Sequence, residues 1–385
     1  MKRTAFVILA VLLSAASAQM TWTCATESAP WGPRTDHASV VFDGKMWVVG
    51  GFRQYPDQPM HDVWYSANGT DWTLATDSAP WSARGSHRVV VFNDTMWLTG
   101  GCGTDIASAM NDVWFTTDGA TWTCATDSAP WLPRCEHGMV VFKGQIWLMG
   151  GAGSGYTLLR DIWHSPDGAA WVCETTAAPW GARCNHAVCV FNDLIWVAGG
   201  QRPSCLGDVW YSADGDSWVR ASAAANWSAR AAHSAVVFDG KMWVSGGMPQ
   251  NNSLRTNDVW YSIDGDTWTC AVDSAPWRPR GWHSSLVYDN KTWVMGGDST
   301  ENSLAMSDVW YSSGLGVEES HQPQASSSKL GATILAGAGV QRLASCDIFD
   351  AMGRRTTNPK PGIYFVRSTF DARHSTSVTK VVVAR

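Results

Sequence analysis

The chain has 385 residues, 45% hydrophobic and only 16% charged, with a formal net charge of −6. These proportions suit a compact globular body, and the acidic balance lacks the basic face that nucleic-acid binding requires. No nucleic-acid partner is expected.

Met1-Lys2-Arg3 precedes an apolar run from Ala5 to Leu13, and Ala16-Ser17-Ala18 follows. A basic start, an apolar centre and an Ala-x-Ala site describe a secretory signal peptide over residues 1–18, cut after Ala18. The apolar run is too short to span a bilayer. No later stretch is apolar enough, so no transmembrane span is expected once the signal is removed. Loss of Lys2 and Arg3 takes the formal charge from −6 to −8.

Residues 19–314 hold six copies of one unit. Gly-Gly recurs at 50–51, 100–101, 150–151, 199–200, 246–247 and 296–297, with spacings of 50, 50, 49, 47 and 50. After each pair comes Asp-(Val/Ile)-Trp, beginning at Asp62, Asp112, Asp161, Asp208, Asp258 and Asp308. Before each pair stands Arg-x-x-His: Arg34/His37, Arg84/His87, Arg134/His137, Arg183/His186, Arg230/His233 and Arg280/His283. A period of this length is the signature of a repeat architecture.

The second copy shows the strands. Arg88-Val89-Val90-Val91-Phe92 is β-branched and aromatic; Asn93-Asp94 turns the chain into Thr95–Thr99, which ends at Gly100-Gly101. A ten-residue loop leads to Val113–Thr116, and Asp118-Gly119 turns it again into a fourth strand around Trp122. Four antiparallel strands per copy predict an all-β, six-bladed β-propeller. The strand-four tryptophans are Trp22, Trp72, Trp122, Trp171, Trp218 and Trp268, and none follows Trp310. The last blade thus lacks an outer strand, and the spare strand Met20–Thr26 is expected to complete it. Four tryptophans per copy account for 24 of the 25, read as packing between blades, and leave Trp282 outside the pattern.

Ten cysteines in an exported chain permit disulfides. Cys124 with Cys135, and Cys173 with Cys184, recur at the same two repeat positions and are expected as two disulfides within a loop. No Cys-x-x-Cys or His-rich cluster points to a metal, and no cofactor is expected.

The Arg-x-x-His, the Gly-Gly after strand two and the strand-four Trp make residues 20–312 resemble the kelch family, whose fold is the β-propeller. Ser212-Ala213-Asp214-Gly215-Asp216-Ser217-Trp218 also resembles the Asp-box of sialidase-like propellers, a hairpin-stabilising element. The kelch resemblance implies two possible chemistries, since kelch-type propellers include a copper radical oxidase of sugars and a sialic-acid epimerase. The oxidase needs Tyr and His ligands with a Cys–Tyr crosslink, and no such set stands out here. An epimerase needs an acid/base pair, for which Glu136 with His137 or Arg134 is the candidate.

Residues 315–330 are rich in Ser, Gly, Gln and Pro and linker-like. A small C-terminal β-domain is expected over 331–385, with strands around Thr333–Leu335, Cys346–Asp350, Gly362–Arg367 and Thr379–Arg385. Phe349-Asp350-Ala351-Met352-Gly353-Arg354-Arg355, Pro361–Val366 and the terminal Lys-Val-Val-Val-x-Arg resemble the C-terminal sorting domain of type IX secretion (Por-type) cargo. This resemblance implies the type IX machinery as a partner and a secreted or surface-attached protein.

Comparing the six copies separates blade from site. Positions alike in all copies serve the fold, so the six Arg and six His are expected to be structural, hydrogen-bonding neighbouring blade backbone. An active site needs one asymmetric constellation. The pair inside Arg-x-x-His and the loop between strands two and three both vary, and strand alternation puts them at one end of the propeller. Asp36, Glu136, Asn185 and Trp282, with Tyr55 and Tyr156 from the loops, are the candidate ligand-binding residues. An extra aromatic beside carboxylates and an amide suits a sugar. A monomer that binds a glycan or a protein is the preferred reading. A carbohydrate-active enzyme and a non-catalytic scaffold or adhesin are the alternatives.

Overall fold

The computed structural model describes residues 20–53, 58–249, 254–299 and 304–314, and four strands of the tail. The expected signal peptide, the linker 315–330, the strand at 333–335 and Tyr55 lie outside the described residues. The chain divides into two compact units, Met1–Glu318 and Glu319–Arg385.

The first unit is the six-bladed propeller, with almost no helix. Blade one runs from Ala38–Phe42 at the axis to Thr73–Thr76 at the rim, and blade two from Arg88–Phe92 to Thr123–Thr126. Blades three, four and five run from Gly138–Phe142 to Val172–Thr175, from Ala187–Phe191 to Trp218–Ser222, and from Ser234–Phe238 to Thr269–Val272. Each inner strand neighbours the inner strand of the next blade, and that of blade six, Ser284–Tyr288, neighbours that of blade one.

Blade six supplies three strands of its own, ending at Val309–Ser312. Its fourth is Thr23–Thr26 from the start of the propeller, antiparallel, with Cys24 opposite Trp310. The expected latch is therefore present. It is anchored by packing: Met20 and Trp22 join Phe238, Trp243 and Trp277 in one apolar cluster, and the Trp22 and Trp277 rings meet edge-on at 5.8 Å. Closing the ring this way leaves no long unpaired edge where first and last blades meet.

Blades hold together by tryptophan. The core is a set of clusters between neighbours; one joins Trp47, Val49 and Val63 of blade one to Trp81, Met96, Leu98 and Trp122. The Trp before each repeat Arg is fully buried (Trp31, Trp81, Trp131, Trp180, Trp227, Trp277). The hairpin between strands three and four inserts its glycine against a Trp of the preceding blade. At Gly215 a Cβ would fall 2.1 Å from the Trp147 ring. The Asp-box serves that hairpin, since Ser212 Oγ accepts from Gly215 N, and Asp214 Oδ1 accepts from Asp216 N and Ser217 N.

Each repeat Arg is the polar centre of its blade. Arg134 is fully buried; it donates to both Asp161 carboxylate oxygens at 2.8 and 2.7 Å and to the Gly150 carbonyl at 2.9 Å. Trp163 Nε1 donates to the same carboxylate. Burial alone would raise the Asp161 carboxyl. The hydrogen bonds and charge of Arg134, with Trp163, outweigh it and hold Asp161 below the usual carboxylate range. The arginines thus bind side chains and carbonyls of their own repeat, where the sequence pointed to the neighbouring blade's backbone. It is the arginine's own carbonyl that reaches the neighbour: Arg183 O accepts from Gly151 N of the preceding blade.

The second unit contains an antiparallel four-stranded sheet, in the order Arg355–Thr356, Asp347–Phe349, Gly362–Thr369 and Thr376–Val383. The strand Arg355–Thr356 has no apolar run in the sequence to announce it.

Arg134→Met strands the Asp161 carboxylate in a mostly buried site. Stability in chemical denaturation should fall by about 3 kcal/mol, and adding Asp161→Leu should recover part of that loss. A single mutant within experimental error of the parent would remove the arginine from its structural role.

Candidate functional site

The links that enter the inner strands meet at one end of the axis. There Asp36, Ser86, Glu136, Asn185, Ala232 and Trp282 form a closed ring of backbone hydrogen bonds. Each N–H donates to the ring carbonyl of the preceding blade, and Asp36 N closes the circle on Trp282 O, at 2.8–3.0 Å. All six are left-handed, with φ between +50° and +57°. That conformation is strained for a residue with a Cβ and is tolerated best by Asn and Asp. Asp36 and Asn185 suit it, whereas Ser86, Glu136, Ala232 and Trp282 do not, and none of the six is glycine. The backbone is the same in every blade, so the side chains above it vary freely.

Above the ring lies a cavity of about 300 Å³. Asp36, Glu136, Tyr156 and Trp282 line it together with Phe52, Cys102 and Ile106. Links and loops thus share one end, as strand alternation required. Two 3₁₀ turns, Ile106–Ser108 of blade two and Ser154–Tyr156 of blade three, adjoin each other beside it. Tyr156 is 65% exposed at the rim. Asn185 does not line this space; it lines a smaller cavity of about 40 Å³ with His37, Arg88 and His233. One face of Trp282 is covered by the Arg255 guanidinium, 4.7 Å from the ring centroid, which is held in turn by a two-point ion pair to Asp298.

The two carboxyls differ. Asp36 is pushed up to about 7, by burial first and by Glu136 second, against hydrogen bonding from Ser86 Oγ at 2.7 Å and the charge of Arg88. Oε2 of Glu136 is buried without a hydrogen-bond partner.

Arg88 is the residue that the sequence reading missed. It follows the repeat His, where the other copies have Ala38, Gly138, Ala187, Ser234 and Ser284. The same internal comparison would have found it, because five small residues fit the crowded axis and one long cation does not. Its Nε donates to the His137 carbonyl at 2.8 Å. Arg88 lines an axial cavity of about 180 Å³ with His37, His186, His233 and His283. Burial lowers the guanidinium, while Asp36 and then Glu136 pull the other way.

The six histidines are buried beside the axis. Nε2 of His37, His137 and His283 pairs with a hydroxyl of the preceding blade: Ser284, Thr99 and Ser234. Their rings pack on the first glycine of the preceding Gly-Gly. At Gly150 a Cβ would sit 3.0 Å from Arg183 O and 3.2 Å from His186 Cε1. Burial, then the adjacent arginine, pushes His37 and His233 down to about 3, and the other four are lowered well below their usual value. For His137 the arginine named first is Arg88. Among the described residues, no group of three or more His, Cys, Asp or Glu is placed to hold a metal ion.

The expected disulfides Cys124–Cys135 and Cys173–Cys184 are not formed. Cys124 and Cys173 sit on the outer strands opposite Trp114 and Trp163, whereas Cys135 and Cys184 are buried at the axial mouth. In each pair ten residues of link carry the chain from rim to axis between the two cysteines. Equal spacing in two repeats reflected a shared path, not proximity.

A family model of the Attractin/LZTR1 β-propeller matches residues 46–302. No curated protein matches the chain. Among solved structures, that of YjhT superposes with a TM-score of 0.61 at 15% identity, covering 74% of this chain and 96% of that one. That likeness is one of fold.

The histidines set the acid stability. Unfolded histidine binds a proton near pH 6.5, whereas the folded six stay neutral far below it, so each contributes stability that is lost as pH falls below about 6.5. The slope is about 1.4 kcal/mol per pH unit for each histidine. Asp36 acts oppositely: its raised value adds stability at low pH that is lost as pH rises towards 7. Six groups outweigh one, so the melting temperature should drop steeply between pH 6.5 and 5. A flat profile across that range would contradict the burial of neutral imidazoles.

Proposed function

Because this chain belongs to the Attractin/LZTR1 β-propeller family, we propose that it is a binding propeller that takes one hydroxyl-rich group, a glycan terminus, into the cavity above the axial ring. The observation that carries this reading is the convergence of Asp36, Glu136, Tyr156 and Trp282 on that cavity. These residues were singled out only because they differ between copies. Carboxylates accept from hydroxyls, and Phe52, Trp282 and Tyr156 offer aromatic surface for the apolar side of a sugar ring. A cavity of about 300 Å³ is at the small end of ligand sites, which suits one ring and not a long chain.

Residues 1–18 and the tail support export, with the type IX machinery as partner and the cell surface or medium as destination. A second reading rests on one observation. Asp36 is held near neutrality beside a second carboxyl, the pairing that proton transfer needs. On that reading the propeller is an epimerase-like enzyme, and Glu136→Gln abolishes turnover while leaving binding in place.

A glycan-array screen of the purified full chain beside Trp282→Ala tests the first reading. Defined hits that weaken at least tenfold in the mutant support it. A blank array turns the search towards a protein ligand or a scaffold role. For a sugar so found, affinity should be higher at pH 8 than at pH 6, because an ionised carboxylate accepts more strongly than a protonated one. Asp36→Asn should flatten that dependence; an unchanged profile in the mutant would detach Asp36 from the ligand.

A further inference from the structure

The thiols at the mouth have partners that spacing in the sequence does not reveal. Within each blade the residue after Gly-Gly pairs with the residue after the repeat Arg: Phe52 with Thr35, Cys102 with Gly85, Ala152 with Cys135. Across blades, the first of these leans on the second of its neighbour. The Phe52 ring of blade one covers Gly85 of blade two so closely that a Cβ there would lie 2.2 Å from it. One blade further on, the same two positions are Cys102 and Cys135. Cys102 acts directly on the Cys135 thiol, so the two side chains are neighbours, and Cys135 Sγ donates to the Ala152 carbonyl at 3.7 Å. Both are buried, at 6% and 1% exposure, and both line the mouth cavity.

We propose that Cys102 and Cys135 are a covalent modification site, joined in the mature protein by a disulfide that staples blade two to blade three at the rim of the cavity. The oxidant is an external disulfide. One thiol, as thiolate, attacks it and expels one equivalent of thiol, giving a mixed disulfide. The second thiolate then displaces the other half. Two protein thiols and one external disulfide become one protein disulfide and two external thiols, so atoms and electrons balance. Cys102, the more exposed of the two, makes the first attack. The neighbouring Cys102 and then burial raise the Cys135 thiol, which makes it a slow nucleophile in the closed ring. The bond therefore forms as the blades close during folding and is not a rapid switch. Cys124 cannot compete, being on the exposed outer strand.

The test uses the purified full chain, so its result is independent of export and of any glycan. The chain is refolded in a mixture of oxidised and reduced glutathione, alkylated, digested without reduction and mapped by mass spectrometry. The expected product is one cross-linked species joining the peptides of Cys102 and Cys135, two hydrogens lighter than their sum and lost on reduction, with Cys124 and Cys173 alkylated. The oxidised chain melts at a higher temperature than the reduced one. Cys135→Ser abolishes that difference and Cys124→Ser preserves it. Recovery of Cys102 and Cys135 both alkylated, or of Cys135 joined to Cys124 or Cys184, overturns the proposal.

Discussion

One buried arginine per blade does the joining on which the rest depends. Arg183 shows it in full. Its guanidinium spans Asp208, just before the third strand, and the Gly199 carbonyl, just after the second. Its own carbonyl accepts from Gly151 of the preceding blade. Side chain and backbone of one residue thus fix the blade internally and to its neighbour. A buried two-point ion pair adds little net stability over an apolar alternative, yet breaking it is costly, so it acts as a register pin. Lysine could not replace it, having no planar fork to hold two carboxylate oxygens and a carbonyl at once.

That pin has a consequence two residues later. Once each arginine is fixed, Asp36, Ser86, Glu136, Asn185, Ala232 and Trp282 can close their ring through backbone alone. The mouth is therefore rigid in its main chain and unconstrained in its side chains. Repetition supplies the platform, and the six different residues on it supply asymmetry at the mouth. Four non-Asx residues held left-handed at one place are the kind of strain that persists where the surroundings over-determine it.

The propeller, its blade number and its latch were legible in the sequence because period, turn chemistry and strand alternation all pointed the same way. So was the end of the propeller that carries the variable positions. The ring itself was not, because a hydrogen bond between main-chain groups leaves no residue signature. Cys135 was paired with the wrong partner because likeness of spacing within a repeat says nothing of contacts between repeats, and Cys102 lies 33 positions away in the neighbouring blade. Asn185, a candidate ligand-binding residue, belongs to the ring but lines the smaller cavity.

Arg88 shows what an axis of six equivalent positions permits. Six side chains at that level converge, and five of them are Ala, Gly or Ser, which leaves space that one long side chain can enter. Entering costs desolvation, seen in the lowered guanidinium, and Asp36 and Glu136 offset it. The dependence runs both ways, since the charge of Arg88 is one of the influences holding Asp36 down against burial and Glu136. Burial and Glu136 dominate the raised carboxyl of Asp36, and Arg88, buried within the channel, moderates it.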